Sequence, residues 1–323
     1  MKHFKVLISI LNWNNWLSTV ETINSVLLSD YKHFEIIILD NNSQDDSVEQ
    51  LKKKIPGIQV WGLKKNIGYA GAHKKAADYA INNNFDLLWI LNNDVKVFQF
   101  TLSEFINAHS RNDNSLLGSV SLKEDGKTIQ IGSGSELINN QVDLSIPYNQ
   151  YGGKNYFETI MKERPVSDLE GASFIIPIEI IKKYGFLDTR FFLYGEESDY
   201  CYRLRNRFNI QSVIVPDARV IHLASETFRL SPRLTFVKAY YNTRNSHLLH
   251  YKYFKGNKLQ GNGKILHFFK FFLRHYIVVK SKDKNPDYWV RYYNKLGAFH
   301  ALLRFKGKYL EPSKFLTTNK SIK

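Results

Sequence analysis

A chain of 323 residues, 43% hydrophobic and 23% charged, is long enough for one large domain with an appendage and too ordinary in composition for a disordered or fibrous protein. One cysteine, Cys201, excludes an intramolecular disulfide and fits a reducing compartment. The net charge of +15 is uneven: residues 1–225 hold 24 Lys and Arg against 26 Asp and Glu, whereas residues 226–323 hold 21 against 4, with 20 of the 46 aromatic residues. A near-neutral body with a basic, aromatic tail points the tail toward something anionic, such as membrane headgroups or nucleic acid. No window of 18 uncharged apolar residues occurs, so no transmembrane helix is expected. The amides Asn12, Asn14 and Asn15 interrupt the first apolar run, so no secretory signal is expected either.

In chain order, Val6 to Leu11 reads as a buried strand ended by Asn12-Trp13-Asn14-Asn15. Ser18 reads as the N-cap of a helix carrying Val20, Ile23, Val26 and Leu27 at helical spacing. Phe34 to Leu39 is a second strand, ended by Asp40-Asn41-Asn42-Ser43. Asp40 and Ser43 can cap the next helix or accept hydrogen bonds from a nucleoside. Ile58 to Trp61 is a third short strand. Asn66-Ile67-Gly68-Tyr69-Ala70-Gly71 then leads into a helix from Lys74 to Ile81, either as an ordinary joint or as a place where backbone approaches an anion. Leu87-Leu88-Trp89-Ile90-Leu91 is a strand buried on both faces. It stops on Asn92-Asn93-Asp94, which is either an Asn-rich turn or a carboxylate with amide neighbours suited to a hard divalent cation.

Strands alternating with helices predict an α/β fold with a mostly parallel sheet and polar groups at the strand carboxyl ends, where such sheets bind ligands. The absence of Gly-x-Gly-x-x-Gly after the first strand argues against a dinucleotide-binding fold. The absence of Gly-x-x-x-x-Gly-Lys-Ser/Thr argues against a phosphate-binding P-loop.

Residues 112–165 are polar and turn-rich, with weak strands near Leu116–Leu122 and Thr128–Ile131, and predict hairpins or a loop. Asp168 to Ile176 reads as a strand whose small residues Gly171, Ala172 and Ser173 leave room for a substrate. Glu179 to Tyr184 reads as a helix stopped by Gly185. After the aromatic run Phe191-Phe192-Leu193-Tyr194, the acids Glu196, Glu197 and Asp199 open another helix. They complement its dipole, and a carboxylate against apolar walls also acquires the raised pKa of a general base. Arg203 and Arg205 are near enough in sequence to hold neighbouring acids ionised. Val213 to Pro216 is a further strand, and His222 follows a short apolar run as either a structural histidine or a metal ligand.

In these ordered motifs, over roughly residues 4–225, the sequence resembles inverting family 2 glycosyltransferases of the GT-A fold, particularly bacterial rhamnosyltransferase-like members. Asn12-Trp13-Asn14 looks like the family's first nucleotide-binding turn, Asp40 to Ser43 like its nucleoside turn, and Asn66 to Gly71 like its Asn-x-Gly-aromatic segment. Asn92-Asn93-Asp94 stands where the family has Asp-x-Asp, Glu196 to Asp199 where it has its acidic motif, and His222 where a histidine often completes the metal site. Two departures stand out: Glu197 replaces the usual Asp, and Ala72-His73-Lys74-Lys75 replaces a segment with further Gly and Asn.

The resemblance implies a nucleotide-sugar donor, a UDP- or dTDP-sugar, held by Asn12, Asn14, Asp40, Ser43, Asn66, Gly68, Asn92 and Asn93. It implies Mn²⁺ or Mg²⁺ on Asp94 and His222, and Glu197 as base within the set Glu196, Glu197 and Asp199. Gly171, Ala172 and Tyr194 would line the acceptor side. The acceptor would be a hydroxyl of a growing, lipid-linked, cell-surface glycan. The expected organisation is a catalytic domain over 1–225 and a helical basic, aromatic extension over 226–323.

Within that extension Lys264, His267, Lys270 and Arg274 share one helical face beside a cluster of Phe and Leu, a pattern suited to a membrane interface or to packing with a basic rim. Phe236 to Phe254 reads as a second aromatic, basic helix. An anionic membrane surface is the expected partner, with no nucleic acid, and the expected location is cytoplasmic, peripheral on the inner membrane face. Two rivals remain: a sugar-nucleotide nucleotidyltransferase, and a non-catalytic docking subunit of a glycan-assembly complex.

Overall fold

The computed structural model describes residues 3–131, 134, 137–138, 141–142, 149–223, 231–253 and 286–316. The chain forms two compact units, one of residues 1–189 and 196–227, the other of residues 190–195 and 228–323.

The first unit is an α/β layered fold. In order it contains β1 (Val6–Asn12), α1 (Trp16–Leu27), β2 (Phe34–Asp40), α2 (Ser47–Lys54), β3 (Gln59–Gly62), α3 (Gly68–Asn82) and β4 (Leu87–Asn92). There follow β5 (Val95–Val97), α4 (Thr101–Arg111), β6 (Ser115–Leu122), β7 (Ile129–Ile131), the short hairpin β8 (Leu137–Ile138) and β9 (Gln141–Val142), and β10 (Arg164–Val166). The unit closes with β11 (Ser173–Pro177), α5 (Ile178–Tyr184), α6 (Glu196–Phe208) and β12 (Gln211–His222). The main sheet runs β10-β12-β6-β11-β4-β1-β2-β3, with β5 added beside β12 and β7 beside β6. β3, β2, β1 and β4 are mutually parallel, β11 is antiparallel to both β4 and β6, and β6 is parallel to β12.

Alternation of side chains along each strand splits the core in two. Val6, Ile8, Ile10, Leu87, Trp89 and Leu91 pack with Ile23, Val26 and Phe105 on one side of the sheet. Leu7, Ile37, Leu39, Leu88 and Ile90 pack with the alanines of α3 and with Ile181 and Leu204 on the other. The apolar runs that read as doubly buried strands are therefore buried on both faces, as a sheet covered by helices requires.

Several expected boundaries move for local reasons. Asn15 caps α1, its Oδ1 accepting from Ser18 N at 3.4 Å, so Ser18 sits inside the first turn instead of capping it. α3 begins at Gly68, six residues before the expected start, because Gly68 adopts φ +78 and admits the helix directly. β11 begins only at Ser173, leaving Asp168 to Ala172 as a loop at the strand's mouth. The two apolar runs around Pro216 form one strand, with a register shift between Val215 and Arg219 that accommodates the proline.

The second unit is built on the helices Leu234–Tyr253 and Pro286–Leu302. The first lies where an aromatic, basic helix was expected, the second was not anticipated, and the expected helical face at 264–274 lies outside the described residues. Gly297 lets the two helices meet, since a β-carbon there would stand 2.5 Å from Tyr240 O and 3.1 Å from Arg244 N. Backbone cannot retreat as a side chain can, so Gly297→Ala should destabilise this unit by about 1–3 kcal/mol, read as a lowered melting temperature.

Arg244 is 0% exposed and donates to Phe191 O at 2.8 Å, Gly307 O at 2.6 Å and Asn245 Oδ1 at 2.8 Å. The amide of Asn245 donates to Phe191 O, Leu193 O and Tyr194 O at 3.1, 2.9 and 2.6 Å. These bonds hold a loop in which Phe192 and Tyr194 both take φ +67, a backbone region costly for bulky residues.

Candidate active site

The carboxyl ends of β1, β2 and β4 are tied together by their own polar side chains. Asn12 donates from Nδ2 to Asp40 Oδ2 at 2.7 Å and accepts from Thr19 Oγ1 at 2.7 Å. Asp40 also accepts from Ser43 N at 3.0 Å and Ser43 Oγ at 2.5 Å. Both carboxylate oxygens are thus used within the turn, and the side chain is 1% exposed. Neither side chain caps α2, whose N-cap position is Asp46, and the bonds they make hold the turn itself.

Asn93 is likewise held by its neighbours. Its amide donates to Thr19 Oγ1 at 3.0 Å and Asn15 O at 3.3 Å, so it braces α1 against β4. Asn66 serves the parallel joint, its Oδ1 accepting from Gly68 N at 3.0 Å and Asn41 Nδ2 at 3.1 Å. Asn92 is half-buried at the last position of β4, with its backbone N–H on Ala172 O at 2.9 Å.

Two donors in the first turn have no hydrogen-bond partner among the described residues. Trp13 Nε1 and Asn14 Nδ2 are both buried and unpaired. A buried donor left this way costs about 1–3 kcal/mol, so acceptor oxygens brought by a ligand would relieve it. The departing segment at 72–75 lies within α3. His73 is 0% exposed, bonded through Nδ1 to Ser9 Oγ at 2.7 Å, and burial pushes its pKa down to about 3. It is a neutral core histidine, while Lys74 pairs with Asp78 at 2.7 Å on the surface.

β5 pairs with the end of β12, His222 facing Val95 in register, and this brings His222 to Asp94. His222 Nε2 lies 3.4 Å from Asp94 Oδ1, and Nδ1 lies 2.8 Å from Glu170 Oε1. Glu170 also accepts from Ser121 Oγ. Burial alone would lower the His222 pKa, but the two carboxylates outweigh it and raise the value to about 10. Sequence reasoning missed Glu170. Its only signal was an acid next to Gly171 in a segment read for its small residues.

Asp94 and His222 fit a divalent cation that would take the place of the proton the two carboxylates hold on the imidazole. The two residues place one carboxylate oxygen and one imidazole nitrogen side by side, with a second carboxylate orienting the imidazole from behind, as metal-binding histidines usually have. Among the described residues no group of three His, Cys, Asp or Glu side chains forms a complete metal cluster, so substrate oxygens or water have to fill the remaining positions.

The three acids of α6 separate by environment. Glu196 is 2% exposed and Asp199 is 0% exposed, with Asp199 Oδ2 3.9 Å from Arg203 Nε. Both face the interior, whereas Glu197 does not. Glu197 is half-buried and stands over the glycine of the 168–172 loop: a β-carbon on Gly171 would lie 3.5 Å from Glu197 Cδ and 3.5 Å from Tyr69 Oη. Tyr69 donates to Gly171 O, and burial, followed by the charges of Glu197, Glu196 and Glu170, raises its pKa well above the usual value.

Of the two arginines expected to hold these acids ionised, Arg203 lies on Asp199. Arg203 donates to Tyr184 O and Phe186 O, and Arg205 to Ser167 O. Ser198 fastens α6 to the same loop through Asp168 Oδ2 at 2.8 Å. Ala172 is 2% exposed, and Tyr194 belongs to the second unit. In sum, Asp94, His222, Glu170, Gly171 and Glu197 come together around one loop.

Residues 7–185, more than half of the chain, match the family described as "Glycosyl transferase family 2". The low-salt glycan biosynthesis hexosyltransferase Agl10 of Haloferax volcanii is 24% identical over 190 residues, which span 57% of this chain and 58% of that protein. Among solved structures, the mannosyltransferase PcManGT of Pyrobaculum calidifontis, in complex with GDP-Man and Mn²⁺, superposes with TM-score 0.53 at 11% identity, over 94% of this chain and 74% of that one. GalNAc-T7 with UDP, GalNAc and Mn²⁺ superposes with TM-score 0.56 at 14% identity, over 93% of this chain and 56% of that one. S. aureus TarS, residues 1–349, gives TM-score 0.51 at 12% identity, over 95% of this chain and 93% of that one. At these identities the superpositions show a shared GT-A fold.

Proposed function

Because the chain belongs to glycosyl transferase family 2, we propose that it moves a hexose from a nucleotide-sugar donor to an acceptor hydroxyl with inversion at the anomeric carbon. The observation that carries this reading is the loop 168–172. Its Glu170 carboxylate orients His222 toward Asp94, and the next residue, Gly171, faces Glu197. Two adjacent residues of one loop therefore touch the candidate cation pair and the candidate base.

The donor lies across the carboxyl ends of β1, β2 and β4. Its oxygens accept from the unpaired Trp13 Nε1 and Asn14 Nδ2, while Asn12, Asp40, Ser43, Asn66, Gly68 and Asn93 hold the shape of the surface. Asp94 and His222 would hold Mn²⁺ or Mg²⁺, which would supply positive charge against the leaving diphosphate. Glu197 accepts the proton of the acceptor hydroxyl as that oxygen attacks, and Gly171 leaves space for the acceptor beside the carboxylate. Tyr69, hydrogen-bonded to Gly171 O, keeps that backbone at a fixed distance from Glu197.

The acceptor is a lipid-linked glycan of the cell surface, reached by a peripheral enzyme on the inner face of the membrane. The experiment is a donor panel: purified protein with Mn²⁺ and an acceptor extract, presented with UDP-, dTDP- and GDP-hexoses, followed by release of nucleoside diphosphate. Release from one donor, abolished by EDTA and restored by Mn²⁺, is the expected outcome. Equal release from every donor regardless of cation would contradict it.

A further inference from the structure

We infer that the helix Pro286–Leu302 and the turn that follows it form a membrane-docking face for an anionic lipid surface. The helix divides into two sides. Gly297, Ala298, His300 and Ala301 are buried inside the second unit. On the other side Trp289, Tyr292, Phe299 and Leu302 are 38%, 37%, 42% and 39% exposed, and Leu303 and Phe305 beyond the helix end are 52% and 51% exposed. Positions 289, 292, 299 and 302 or 303 recur at helical spacing, so they form one stripe along the helix. Several large apolar side chains exposed along one helix face are a feature of interaction sites.

The charge around the stripe identifies the occupant. Between residues 286 and 310 the basic side chains are Arg291, Lys295, Arg304, Lys306 and Lys308, and the single acid is Asp287 at the start of the helix. Lys308 pairs with Glu311, while Arg291, Arg304 and Lys306 are exposed. Aromatic rings and leucines rimmed by Lys and Arg match the boundary between acidic headgroups and hydrocarbon. A second copy of the chain would bring this basic rim against its own counterpart, an arrangement that repulsion opposes. A nucleic acid would meet the charges but would gain nothing from Leu302 and Leu303. No helix among the described residues is long and apolar enough to cross a membrane, so the contact is peripheral.

This inference goes beyond the proposed transfer reaction and is tested without donor or acceptor. The full chain is floated with phosphatidylcholine vesicles, with and without phosphatidylglycerol, at low and high salt. Binding should appear with phosphatidylglycerol and fall by about tenfold or more in high salt or without the anionic lipid. Phe299→Ser with Leu303→Ser should reduce binding to phosphatidylglycerol vesicles by about tenfold, and because both side chains are exposed the melting temperature should not move. Charge reversal at Arg304 and Lys306 is a second, independent variant expected to act in the same direction.

Four results would overturn the inference: no flotation with either lipid, binding unchanged in both variants, equal binding to neutral vesicles, or a solution dimer that the Phe299/Leu303 variant dissolves.

Discussion

Glu197→Gln is expected to lower turnover by about 10²–10⁴-fold, the range typical of a lost general base, while donor affinity stays unchanged. The amide matches the carboxylate in shape and cannot take a proton. The side chain is half-buried against Gly171, and the substitution leaves the Asp94 carboxylate and the His222 imidazole in place. The same change at Glu196 should act on stability more than on the chemical step, because that carboxyl is 2% exposed inside the first turn of α6. Glu197→Asp restores the residue usual in the family and should retain much of the activity lost in the Gln variant. Rates from single-turnover kinetics and affinities from calorimetry separate the two effects. A Glu197→Gln enzyme that turned over at the parental rate would place the base elsewhere.

The second large effect is expected at the cation site. Asp94→Ala removes a carboxylate 3.4 Å from His222 Nε2 and should abolish Mn²⁺-dependent donor binding, and His222→Ala should do nearly the same. Glu170→Gln is graded between these and the parent. Its carboxylate touches Nδ1 of the imidazole, the nitrogen that does not face Asp94, and outer partners of this kind cost about 10–100-fold in metal affinity when removed. Mn²⁺ titration followed by electron paramagnetic resonance reads the series directly. Equal Mn²⁺ affinity in all three variants would show that the cation, if bound, sits on other residues.

The parts of this molecule that were legible in its sequence are those governed by short-range rules. The runs at Val6, Phe34 and Leu87 announced strands because doubly buried parallel strands need continuous apolar residues. Their polar stops announced the ligand edge for the same topological reason. What the residues do at that edge was less legible. Asp40 and Asn93 carry the right chemistry for a ligand, yet their bonds go to Asn12, Ser43 and Thr19, partners up to 74 residues away in sequence.

Glu170 was missed because its significance depends on β12 returning to lie beside β5 and β6, a long-range pairing that spacing does not encode. Within Glu196, Glu197 and Asp199 only tertiary burial separates the half-buried acid from the interior ones. The helix Pro286–Leu302 escaped notice because its Tyr, Trp, Gly and His content has little helical preference, and the partner that stabilises it is the helix Leu234–Tyr253 packed against Gly297.

The most direct test of the account is a calorimetric titration of UDP, dTDP and GDP into the wild-type protein, with and without Mn²⁺, because it needs no acceptor. The account predicts that one of these nucleotides binds, that it binds only when Mn²⁺ is present, and that the heat disappears in Asp94→Ala. Binding that is indifferent to Mn²⁺ or survives in Asp94→Ala, or the absence of binding by all three, would contradict the assignment of this sheet edge as a cation-assisted donor site.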